Sequence, residues 1–111
     1  MDAVESYGER ERIIKELNQA KLLFKERGFV LADCERMYRI AKARKILEYR
    51  AEGMAVTLIT DLVRGNEDIA ELAFNRDCAE VSFKSLTEAI NILKLQLKVN
   101  ETDIENERRG I

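Results

Sequence analysis

Proline, tryptophan and histidine are absent from this 111-residue chain, and glycine occurs only five times. Each absence excludes something. Without proline and with so little glycine, a β-sandwich or barrel of this size lacks the turn residues it requires. Without histidine there is no Ser-His-Asp or Cys-His nucleophile pair, and no Glu-x-x-His motif of a di-iron bundle. The two cysteines, Cys34 and Cys78, have no metal-ligand spacing. As small apolar thiols in a reducing compartment they are expected to be buried and unbridged. No run approaches the roughly 20 apolar residues of a membrane span, and the start MDAVESYGERER is charged without an apolar core, so no signal peptide is read there. The expectation is a soluble cytoplasmic protein with no membrane partner, no metal and no cofactor.

What is present is helix-forming and charged. Apolar residues make up 46% of the chain and charged residues 36%, the latter well above the ordinary quarter or so. Between Ile69 and Ile104 apolar residues recur at alternating spacings of three and four. The series is Ile69, Leu72, Arg76, Ala79, Phe83, Leu86, Ile90, Leu93, Leu97, Asn100, Ile104, and nine of its eleven positions are apolar. Such a heptad seam predicts a long helix, about 67–107, with a partner along its length. A second seam, Ile13, Leu17, Ala20, Phe24, Arg27, Leu31, Cys34, Tyr38, Ala41, predicts another long helix that begins near Val4 or Glu9 and runs to about Glu52, with about 9–52 as its shorter bounds. Gly28 interrupts it, and one long helix with a weak point is read there in preference to two.

The connection, 53–66, carries its own signals. Gly53 reads as the glycine that ends the first helix. Thr57 reads as the N-cap of a short helix from Leu58 to Arg64, which Gly65 ends, and Asn66 caps the last helix with Glu67 and Asp68 placed well against its dipole. The predicted fold is therefore all-α: two long antiparallel helices, a helical hairpin, with a short helix in the connection. Both long helices are apolar on a second side as well, at Phe74, Cys78, Val81, Ile92, Leu95 and Val99 on the last, and at Val30, Met37, Ile40 and Leu47 on the first. A hairpin buries one stripe per helix. The surplus predicts either a third packing element from the connection or a homodimer forming a four-helix bundle, and the dimer is preferred. The oligomer seam is assigned to Ile69, Leu72, Phe83, Leu86, Ile90, Leu93 and Leu97.

Two further patches are candidates for function. Met54, Val56, Leu58, Ile59 and Leu62 make the connection apolar, either as a cap folded over the helices or as a tip that docks a protein partner. Arg36, Arg39, Lys42, Arg44, Lys45 and Arg50 form a basic strip near Tyr38 and Tyr49. Residues 35–60 hold six bases against three acids, and residues 61–111 hold seven against eleven. The strip either grips nucleic-acid phosphates or pairs with acids on the antiparallel last helix. The net charge of −2 favours pairing. Carboxylate pairs such as Glu67/Glu71 and Asp77/Glu80 read as a solvated face rather than a cation site. Gly53, Gly65 and Gly110 are too far apart to cradle a phosphate.

The stretch from Tyr38 to Leu97 resembles small all-helical proteins of tailed phages and prophages of low-GC Gram-positive bacteria. The resemblance is carried by Arg50-Ala51-Glu52-Gly53, by Val56-Thr57-Leu58-Ile59 with Asp61-Leu62 and Gly65, by Arg76-Asp77, and by Glu88-Ala89-Ile90-Asn91. It implies a phage accessory protein acting in the cytoplasm of a bacterial host, and it brings no catalytic or binding residues with it. With no catalytic constellation, the expected function is a non-enzymatic protein-binding module, an inhibitor or adaptor acting on a host nuclease or defence complex. The alternatives are a nucleic-acid-associated accessory of replication or recombination, and a scaffold or connector subunit.

Overall fold

The computed structural model describes residues 2–110. Three helices follow one another: α1 (Ala3–Ala51), α2 (Val56–Arg64) and α3 (Glu67–Arg108), and no strand occurs among the described residues. The all-helical class and the order long, short, long agree with the heptad reading. The boundaries differ where caps were overlooked.

α1 begins at Ala3, beside the earlier of the two expected starts, Val4, and well before Glu9. The reason is a reciprocal cap: the Glu5 backbone N–H donates to Asp2 Oδ1 at 2.9 Å while the Asp2 N–H donates to Glu5 Oε2 at 3.4 Å. This Asp-x-x-Glu box satisfies donors that an uncapped first turn would leave to water. At its other end Gly53 takes φ +80°, and the Met54 and Gly53 N–H groups bond back to the carbonyls of Tyr49 and Arg50 at 3.1 Å each. That is the Schellman arrangement, which favours glycine because a Cβ is strained at such a φ.

α2 starts at Val56, two residues before the expected start, and Thr57 is not its cap. Ala55 occupies the N-cap position with extended backbone (φ −62°, ψ 134°) and offers no side-chain acceptor. Asn66 does cap α3, accepting the Ile69 N–H on Oδ1 at 3.2 Å. α1 runs unbroken through Gly28. A Cβ at Gly28 would stand 3.3 Å from Cε2 of Phe83, so the glycine lets that ring lie close against the α1 backbone.

The chain divides into two compact units. The terminal unit combines the chain up to Glu26 with the chain from Lys84 onward, and the central unit is Arg27–Phe83. In the terminal unit α1 and α3 run antiparallel, and Ile13, Leu17 and Ala20 of α1 form the core with Leu86 and Ile90 of α3, flanked by Leu93 and Leu97. In the central unit three elements meet. Ile59 and Val63 of α2 and Ile69 of α3 form the core, with Tyr38, Ala41, Ile46 and Tyr49 of α1 packed on it. Each buried aliphatic side chain contributes about 1.5–3 kcal/mol relative to exposure. All eleven positions of the α3 seam are buried or half-buried. On α1 the one seam residue left exposed is Phe24.

Candidate interaction surfaces

With the α3 seam turned inward at heptad positions a and d, the second stripe falls at c and f, on the opposite side of the same helix. Phe74, Val81, Ile92, Leu95 and Val99 are each more than half exposed. In the terminal unit the last three line an open groove of about 420 Å³ whose floor is Ile13 and Asn100 and whose rim includes Glu9, Arg12 and Asp103. Arg12 is held by Glu9 on one side and by Glu16 at 2.7 Å on the other. Its guanidinium, hydrogen-bonded to Glu9, keeps that carboxyl below the usual carboxylate range, and both glutamates raise the arginine in turn. On α1 the stripe Val30, Met37, Ile40 and Leu47 is exposed as well.

The apolar connection turns out to be divided. Met54, Val56, Leu58 and Leu62 face solvent, but Ile59 does not: it is 5% exposed and belongs to the core of the central unit. Assigning Ile59 to a docking tip is therefore corrected. A helix so short has one inward face, and Ile59 and Val63, four apart, occupy it. Val63, 2% exposed, was not singled out in the sequence, although its spacing from Ile59 carried the signal. α2 is thus a third packing element in the central unit, but it covers the inward side of α1 and α3 at Tyr38, Ile46 and Ile69 and leaves the surplus stripe exposed.

Three cations of the basic strip find their ion pairs elsewhere than the pairing expectation placed them. Arg36 bonds Asp33 at 2.5 Å, Arg39 bonds Glu35 at 3.1 Å and Lys45 bonds Glu48 at 2.9 Å, all within α1 rather than across to α3. Spacings of three and four put these partners one turn apart on the same helix. The bond to Glu48 raises the Lys45 ammonium above its ordinary value. Lys42 and Lys45 also stand over the rings of Tyr38 and Tyr49, at 5.7 and 5.5 Å. Arg44 and Arg50 are exposed.

The two polar positions of the α3 seam have distinct solutions. Arg76 bonds Asp77 at 3.0 Å and Glu35 at 3.7 Å, and its guanidinium lies 4.3 Å from the centre of the Tyr38 ring. The Asp77 bond, with help from Tyr38, raises the arginine further. Asn100 is 4% exposed and donates from Nδ2 to the Ser6 carbonyl at 2.9 Å. Ser6 is fully buried and donates from Oγ to Glu107 Oε1 at 2.8 Å. Ser6 was missed in the sequence, yet it lies one heptad before Ile13 and so on the same seam. The amide oxygen of Asn100, Oδ1, and the second carboxylate oxygen of Glu107, Oε2, have no hydrogen-bond partner.

Neither cysteine is bridged, but Cys78 is exposed and Cys34 only half-buried, contrary to the expectation of two buried thiols. Cys78 sits at a c position of the heptad, outside the seam. Among the described residues no group of three or more acids or cysteines is placed to hold a metal, and no helix is long and apolar enough to cross a membrane. Comparison with protein-family models, with curated proteins and with solved structures gave no match.

Proposed function

We propose that this chain is a non-enzymatic protein-binding module that works by burying the outer stripe of α3. One observation carries the reading. Ile92, Leu95 and Val99 form an exposed apolar ridge on α3, outside its seam, beside a groove that reaches down to Ile13 and Asn100. Contiguous exposed apolar surface of this kind marks an interaction site in a stable protein, because leaving it in water has a cost of about 25 cal/mol per Å². A second copy completing a helical bundle is the simplest occupant, and a host protein held in an inhibitor or adaptor role is the other. The phage resemblance of residues 38–97 is the support for the second. The basic strip lends less support to a nucleic-acid role, since Arg36, Arg39 and Lys45 are engaged by acids one turn away.

The test is the mass of the full chain in solution by light scattering, for the parent and for Leu95→Asp, at low and high salt and with a short DNA duplex. The reading expects self-association, or capture of a stoichiometric protein, that Leu95→Asp abolishes while helicity is kept. A chain that stays monomeric, takes up DNA at low salt and captures no protein overturns it in favour of phosphate contacts, whose affinity falls steeply with salt.

A further inference from the structure

The three helices of the central unit leave a partly enclosed cavity of about 340 Å³ between them. Each helix faces it with residues four apart, which share one side of a helix: Lys42 and Ile46 on α1, Thr60 and Arg64 on α2, Ile69 and Ala73 on α3. Ile59 and Val63 of the core complete its apolar wall. The volume stands at the low end of the roughly 300–1,000 Å³ of small-molecule sites, and the make-up matches them too: aliphatic walls with a few polar groups converging.

Those polar groups are of one kind. Tyr38, Lys42, Thr60 and Arg64 all donate hydrogen bonds, two of them are cations, and among the described residues no acid lines the cavity. The nearby acids Asp61, Glu67 and Asp68 line a separate depression. Lys42 and Arg64 come from different helices, and neither forms an ion pair with another described residue, whereas Arg36, Arg39, Lys45 and Arg76 of the same unit each have one. The Lys42 ammonium stands 5.7 Å from the centre of the Tyr38 ring, which itself lines the cavity, so the charge is kept at the wall. Both cations are exposed while Ile59, Val63 and Ile69 are buried, which puts positive charge outermost and aliphatic surface innermost. A neutral apolar ligand leaves both cations unused, a cationic one is repelled by them, and an inorganic anion leaves the aliphatic wall bare. One chemistry uses every group.

We propose that this cavity binds a small amphipathic anion, its short apolar body among Ile46, Ile59 and Ile69 and its anionic oxygens held by Lys42 and Arg64. The site is built entirely from residues 38–73 and stands whether or not the ridge of Ile92, Leu95 and Val99 binds a protein.

NMR titration of the isotopically labelled full chain tests it, with octanoate and octyl phosphate as anionic probes and octanol, octylamine and inorganic phosphate as controls. An anionic probe is expected to shift the amides of Ile46, Thr60 and Ile69 together and saturably, with a Kd on the order of 100 µM, ordinary for so small a ligand. The tighter of the two anions names the head group. Octanol binds about tenfold more weakly, because it forgoes two charge contacts, and octylamine and inorganic phosphate do not saturate. Lys42→Gln and Arg64→Gln each weaken the anion about threefold, and both side chains are exposed, so the fold is kept. Ala73→Leu fills the cavity and removes binding while circular dichroism retains the helical signal. No saturable shift with either anion overturns the site. So does octanol binding as tightly as octanoate, inorganic phosphate doing the same, or affinity unchanged in the Lys42→Gln/Arg64→Gln double variant. Shifts confined to Ile92, Leu95 and Val99 put the probe on the exposed ridge and overturn it as well.

Discussion

The terminal and central units solve the same problem with different materials. In the terminal unit two helices form the core, and toward the chain ends the seam takes in a polar set, Ser6, Asn100 and Glu107, alongside the buried Ile104. In the central unit a third helix supplies Ile59 and Val63, so the core there stays apolar and the polar seam residue, Arg76, is handled at its margin by Tyr38, Glu35 and Asp77. The difference teaches what a third element is for. A helix pair alone has one buried stripe, and polar residues enter it only if every group finds a partner. Asn100 and Glu107 fall short by one oxygen each, so the terminal unit is expected to be the more easily perturbed through its polar groups and the central unit through α2.

The comparison is broken most severely at the cores. Ile13 is 1% exposed, and Ile13→Ala is expected to lower stability by about 3–4 kcal/mol in urea denaturation. Hydrogen exchange should quicken first among terminal-unit amides; equal quickening in both units would show that they unfold as one. Ile59→Ala should cost about 3 kcal/mol and release the amides of α2 before those of the terminal core. Ser6→Ala sharpens the polar side of the contrast. It leaves Glu107 without its hydroxyl donor and should cost about 1–3 kcal/mol, although the side chain lost is a single oxygen. A change near zero would mean that the carboxylate finds another donor.

Smaller effects test the helix itself. Gly28→Ala should stabilise by under 1 kcal/mol or so, because the gain in helix propensity slightly exceeds the cost of moving the Phe83 ring edge by a few tenths of an ångström. Destabilisation in thermal melts would show the ring to be fixed. The smallest effect is at Glu9, whose carboxyl is lowered by Arg12. A carboxylate depressed in the folded state stabilises the fold above its unfolded pKa, and that contribution is lost as pH falls through the folded pKa. Titration of Glu9 by NMR should show a midpoint below the ordinary value, returning upward in Arg12→Gln.

Much of this was legible in the chain of letters. The α3 seam from Ile69 to Ile104 dictated its inward face, because a period of 3.5 keeps one side of a helix in contact with a neighbour. The Asn66 cap and the Gly53 terminus followed from local hydrogen bonding and φ preference, which involve only residues within one turn. Asp2 and Glu5 were equally local and were passed over because no apolar run stands beside them.

What the sequence determined by itself, then, is helix, period and the existence of surplus apolar stripes, since these depend on neighbours along the chain. What only the tertiary structure decided depends on neighbours in space. Ile59 and Leu58 are adjacent, equally apolar residues, and only the packing of α2 on Tyr38, Ile46 and Ile69 puts one in the core and leaves the other in solvent. Arg36 and Arg39 had acids available in both directions, and those one turn away on their own helix prevailed. Ser6 became a buried hydrogen-bond donor only because α3 brings Glu107 to it, 101 residues away along the chain.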